Sequence, residues 1–170
     1  LGRRVLPVTC NMSQPDQIRS MFALIDQEYG RIDIVGNVAG AAKRNTPLEV
    51  TLDEMAYTLH NLIIGRLVCC QEAGQRMIAA KNGGSIINIV SIAGINALGR
   101  SHLSYSIGMG GVAQMTRELG IEWAAKGVRV NAIVCAQLMN DDLKKRIAAD
   151  PTLGDTYLRG IPMGRLSDSN

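Results

Sequence analysis

Apolar runs and amphipathic stretches alternate along the chain. Ser85-Ile86-Ile87-Asn88-Ile89-Val90 is nearly continuous in apolar residues, the mark of a parallel strand covered on both faces. Val128–Val134 and Asp33–Asn37 also read as strands. Arg4–Thr9 is a shorter apolar run, which Pro7 demotes to an edge or irregular strand. Between these runs the spacing turns helical. Ile18, Met21, Phe22 and Ile25 share one face of a helix expected to be capped by Ser13 and stopped by Gly30. Thr51-Leu52-Asp53-Glu54 is a capping box that opens a long helix running to about Ala80. A further helix is expected from about Ser104 to Lys126, with Val112, Met115, Leu119 and Trp123 turned inward, and a shorter one near Asp141–Ala149. The order β-α-β-α-β-α-β-α predicts an α/β fold: a doubly wound parallel sheet in three αβα layers, one domain over residues 1–170.

Composition narrows the partners. Apolar residues make up 46% of the 170 residues and charged residues 19%, as in a soluble globular protein. The net charge of +3 is small, and Lys43-Arg44 and Lys144-Lys145-Arg146 are too short, without interleaved aromatics, for a nucleic-acid surface. No apolar run has the length of a membrane span, so neither nucleic acid nor membrane is an expected partner. Cys10, Cys69, Cys70 and Cys135, with His60 and His102, show no metal-ligand spacing, and no metal site is expected. Cys69-Cys70 reads as a pair of small buried hydrophobes in a reduced, cytoplasmic protein.

In doubly wound sheets, ligands sit beyond the carboxyl ends of the strands, so the loops after Thr9, Asn37, Val90 and Val134 are where chemistry is expected. Gly108-x-Gly110-x-x-Ala113 matches a dinucleotide-binding pattern but falls inside a helix rather than at a strand-to-helix turn. Its glycines read as close packing against another helix or a cofactor. The remaining landmarks are Asn37-Val38-Ala39-Gly40, Asn61-Leu62-Ile63-Ile64-Gly65, the strand that ends on Ser91, Tyr105-Ser106-Ile107-Gly108-Met109, Val130-Asn131-Ala132-Ile133 and Ile161-Pro162-Met163-Gly164-Arg165. Together they resemble the short-chain dehydrogenase/reductase family over essentially the whole chain.

The resemblance implies a Rossmann-like fold, NAD or NADP as cofactor, and hydride transfer to or from a small-molecule secondary alcohol or ketone, of sugar-acid or 3-oxoacyl type. It makes Tyr105 the general acid/base, Ser91 the group that orients the substrate oxygen, and Asn61 the support of a water in a proton relay. Cofactor contacts would fall on Asn11, Met12, Asn37, Ala39, Gly40, Tyr105 and Asn140. The long helices at about 52–80 and 104–126 would pair into a homodimer or homotetramer. The family's phosphate-binding βαβ unit is expected ahead of Leu1, and its closing segment beyond Asn170.

Several positions depart from the family pattern. Val38 replaces a second asparagine, Cys135-Ala136 a Pro-Gly pair, Asn140 a threonine and Asn11 an aspartate. Ser91 and Tyr105 also stand one residue further apart than is usual. Met109 matters most, because it stands where the family has lysine. A free phenol, with pKa ~10, is a weak base at neutral pH. A cation four residues on shares its helix face. At ~4–6 Å and an effective dielectric of ~20, that cation stabilises the phenolate by about 3–4 kcal/mol. Methionine supplies none of this. Two other readings therefore stay open: a non-catalytic relative serving as scaffold or binding protein, and another doubly wound domain, such as a methyltransferase core, in which Tyr105 is structural.

Overall fold

A computed structural model describes residues 2–40, 42–43 and 45–167, so Leu1, Arg44 and the closing Asn170 lie outside the described residues. Contacts gather the chain into two compact units, Leu1–Val134 and Cys135–Asn170.

In the first unit, helix α1 (Pro15–Tyr29) begins at a proline and ends at Gly30, whose left-handed φ of 72° lets its N–H reach the Asp26 carbonyl. Ser13 does not cap this helix. Its N–H and hydroxyl both donate to Asn11 Oδ1, at 3.0 and 2.9 Å, while Pro15, lacking an N–H to satisfy, sets the helix start. The expected Arg4–Thr9 strand also fails to form. An apolar run becomes a strand only where a neighbour accepts its ladder bonds, and no described strand does so.

Strand β1 (Ile34–Asn37) pairs in parallel with β2 (Gly84–Ser91), from Ile34 opposite Ser85 to Asn37 opposite Asn88. Strand β3 (Val128–Cys135) lies on the far side of β2. The capping box forms as expected: Glu54 N–H donates to Thr51 Oγ1 at 3.2 Å, and Thr51 N–H to Glu54 Oε2 at 3.2 Å. The helix it opens is not continuous. Helix α2 (Leu52–Leu59) passes through a π turn, His60–Ile64, before α3 (Gly65–Ala80) resumes. Helix α4 runs Leu103–Ala124.

Ile18, Phe22, Val68, Cys70, Met77, Ile86 and Val128 close the core between α1, α3 and the sheet. A second cluster, Leu62, Val90, Met109, Val112 and Ala113, joins the π turn, β2 and α4. Helices α3 and α4 approach so closely that a Cβ on Gly74 would lie 2.6 Å from the Trp123 ring. The second unit holds α5 (Asp141–Ala149) and α6 (Thr152–Leu158), where buried Tyr157 accepts a hydrogen bond from Arg146 at 3.2 Å. No described helix is long and apolar enough to cross a membrane.

Candidate active site

A buried line of polar side chains fixes the strand ends to α4. Asn37 Nδ2 donates to Asn88 Oδ1 at 2.9 Å, Asn88 Nδ2 to Thr116 Oγ1 at 2.9 Å, and Thr116 in turn to the Val112 carbonyl at 2.7 Å. All three side chains are buried, so each needs a partner, and the chain supplies them in series. Asn37 is turned inward, while the following residues Val38, Ala39 and Gly40 are exposed at the carboxyl end of β1.

The elements that carry the three predicted catalytic residues pack on one another. Ser91 ends β2, and its Oγ accepts the Ala93 N–H at 3.2 Å, opening a single 3-10 turn, Ile92–Gly94. That turn lies on α4: a Cβ on Gly94 would fall 2.6 Å from the Met109 carbonyl carbon. Tyr105 sits in the first turn of α4, half-buried, its ring edge-to-face with His102 at 5.9 Å. Asn61 belongs to the π turn and donates through Nδ2 to the Tyr57 carbonyl at 2.8 Å. The π turn meets α4 where side chains are missing, with Leu62 against Gly108 and Ile63 against Gly111. The glycine pattern of α4 is thus helix-to-helix packing.

Met109 is only 4% exposed and packs with Leu62 and Val112. The cation nearest it is one that a reading of the sequence misses. Arg66, in the first turn of α3, is 2% exposed. Its Nη2 donates to the Val38 carbonyl at 3.2 Å, and its Nη1 to the Leu62 carbonyl at 3.5 Å and the Met109 sulfur at 3.9 Å. Its Nε has no partner. Burial pulls its pKa below the usual guanidinium range. The available signal was one charged residue inside the otherwise apolar run Leu62–Cys70.

The other predicted contacts are placed as follows. Asn11 Oδ1 is engaged by Ser13. Met12 packs at the edge of the first core cluster, and its carbonyl rests on Gly65, where any side chain would collide with it. Asn140, in the second unit, caps α5 by accepting the Leu143 N–H at 2.8 Å.

The small residues of this loop leave room for a cofactor ring to approach its backbone, as the loop's exposure allows. A Cβ on Gly40 would stand 2.5 Å from Leu62, so glycine lets the loop lie flat on the π turn while its outer surface stays open. No glycine-rich strand-to-helix turn that would cradle a pyrophosphate occurs among the described residues.

Comparison with known proteins agrees with this fold. A family described as Enoyl-(Acyl carrier protein) reductase matches residues 1–170. D-threitol dehydrogenase of Mycolicibacterium smegmatis is 33% identical over 93% of this chain and 59% of its own length. 2-dehydro-3-deoxy-D-gluconate 5-dehydrogenase of Escherichia coli is 32% identical over 97% of this chain and 64% of its own. A crystal structure of a short-chain type dehydrogenase/reductase from Mycobacterium marinum superposes with a TM-score of 0.89 at 27% identity, covering 98% of this chain and 65% of that one. The protein belongs to the short-chain dehydrogenase/reductase family, with its Rossmann-like α/β fold. The chain spans about 60% of the length of these relatives.

Proposed function

We propose that the complete protein is an NAD- or NADP-dependent oxidoreductase that interconverts a secondary alcohol and a ketone. The observation that carries this reading is the mutual packing of the π turn, the Ser91 strand end and the Tyr105 helix, beside an exposed small-residue loop. When bound, a nicotinamide would supply the hydride acceptor in oxidation, the hydride leaving with the electron pair of the carbinol C–H bond, and the hydride donor in reduction. In oxidation, Tyr105 Oη takes the hydroxyl proton as the C–O bond becomes C=O; in reduction it returns that proton. Ser91 Oγ already accepts from Ala93, so its own hydrogen is free to donate to the substrate oxygen. Asn61 Oδ1 holds a water that refills Tyr105 from solvent. Asn37, through Asn88, fixes the loop that Ala39 and Gly40 present to the ring, while Asn11, Met12 and Asn140 stay proposed contacts to the rest of the cofactor.

The names of the relatives favour a polyol, a sugar acid or a 3-oxoacyl thioester as substrate. Leu52, 87% exposed on α2, and Ile121, 82% exposed on α4, offer apolar contacts for a homodimer or homotetramer. Free thiols at all four cysteines suit the cytoplasm.

The test is nicotinamide absorbance with the full-length protein and a ketone panel. Tyr105→Phe should lose about 100-fold or more in rate, and equal rates would remove Tyr105 from the chemistry. A non-catalytic scaffold is favoured by one observation, a buried, uncharged Met109 at the lysine position. No turnover with either cofactor would support it.

A further inference from the structure

A buried charge without a counter-ion needs a reason, because burial strongly disfavours it unless it acts on something. Among the described residues no carboxylate lies within ion-pair distance of Arg66, and its Nε has no hydrogen-bond partner. Its guanidinium nevertheless sits at the centre of the candidate site. On one side it holds the Val38 carbonyl, and it would be 3.6 Å from a Cβ on Gly40. On the other it touches the sulfur of Met109, four residues after Tyr105 on α4.

We propose that Arg66 is the positioning cation of this site: from α3, its buried guanidinium supplies the positive charge that Met109 does not supply from α4. The proposal rests on the dehydrogenase reading above. Tyr105 develops negative charge when it gives up its proton, and Arg66 reaches the side chain of Met109, which shares the helix face of Tyr105 one turn along α4. Arginine stays charged where lysine would lose its proton on burial, so it suits a site this dry. The neighbouring groups leave its charge uncancelled. Burial holds the Cys69 and Cys70 thiols at about 12 and about 11, so both are neutral at physiological pH. The other ring against Tyr105 is His102. The exchange also explains Met109. A lysine there would press a second cation onto Arg66, whereas a neutral, polarisable thioether accepts its N–H. Arg66 and Met109 form a matched pair.

The experiment uses the full-length protein in two readouts. Without cofactor, the phenolate absorbance of Tyr105 is titrated as the difference between each variant and the same variant carrying Tyr105→Phe. With cofactor, hydride transfer is followed against pH. Arg66→Met should move both curves about one pH unit or more to the alkaline side and slow turnover at neutral pH by about tenfold or more. Arg66→Lys, which gives up charge on burial, should fall between Arg66→Met and wild type, and the swapped pair Arg66→Met with Met109→Lys should return toward wild type. Circular dichroism and thermal melting identify folded variants; if Arg66→Met does not fold, the swapped pair and Arg66→Lys carry the test. An unmoved phenolate titration in folded Arg66→Met, or a swapped pair no better than Arg66→Met alone, overturns the proposal. If Tyr105→Phe keeps its rate, the dehydrogenase reading falls instead; the cofactor-free titration still decides whether Arg66 acts on Tyr105.

Discussion

Cys69 and Cys70 lie side by side in α3, 3% and 0% exposed, and their environment decides their reactivity. Burial is the main cause that raises both thiols, to about 12 and about 11. At pH 8, a thiol near 12 is ionised in about one molecule in ten thousand. Cys135 is exposed, and Cys10 is part-buried with its thiol raised by burial. Native protein treated with an aromatic disulfide reagent should therefore label Cys135 quickly, Cys10 slowly, and Cys69 and Cys70 only after unfolding. Mass mapping of the labelled peptides checks this, and fast labelling of Cys70 would contradict the assigned burial. The sequence showed these cysteines as core residues because adjacent small apolar residues in a helix have few other uses. Arg66, four residues earlier, was not legible: its meaning depends on Val38 and Met109, which come from two other elements.

Between elements, a charged clamp ties α1 to α3. Arg76 grips Asp26 with three hydrogen bonds, at 2.8, 2.9 and 2.7 Å, holds Glu72 at 2.7 Å, and lies 5.3 Å over the Phe22 ring. The Arg76 hydrogen bond lowers the Asp26 pKa from its ordinary 3.8, against an opposing push from burial. A carboxylate depressed in the folded state stabilises the fold above the unfolded value, and that stabilisation is lost as pH falls through the folded value. Solvent reaches Asp26, so the contribution is screened and stays below about 1 kcal/mol. Urea melts should show Asp26→Asn weaker than wild type near neutrality. The difference should vanish well below pH 3.8 and shrink in high salt, whereas a difference independent of pH would argue for packing alone.

Most elements were readable from periodicity, since Ser85–Val90, Val128–Val134 and the capping box at Thr51 each carry local signals. The break in the predicted long helix was not. A π turn changes hydrogen-bond register by one residue without any compositional mark, yet it is this turn that carries Asn61 and precedes Arg66. The start of α1 was also misread, because Ser13 looks like a cap in sequence while Asn11 engages it in space.

At the scale of the molecule, β1 is the edge of the described sheet, with β2 on its only paired side. Ile34 on it is 69% exposed, and an open groove of about 710 Å³ runs beside it, lined by Met21, Phe22, Ile25, Ile32, Val35 and Val38 among others. A parallel strand is normally covered on both flanks, and a bare apolar edge is a template for association. This is also why Arg4–Thr9 misled the sequence reading: periodicity records that a run is apolar, not whether a partner strand lies alongside it. The 170-residue chain on its own should bind an apolar fluorescent dye and sediment as concentration-dependent oligomers. Ile34→Lys should reduce both, because an edge lysine opposes strand addition while leaving the β1–β2 ladder intact. A dye-silent monomer at high concentration would mean that the groove is covered in solution.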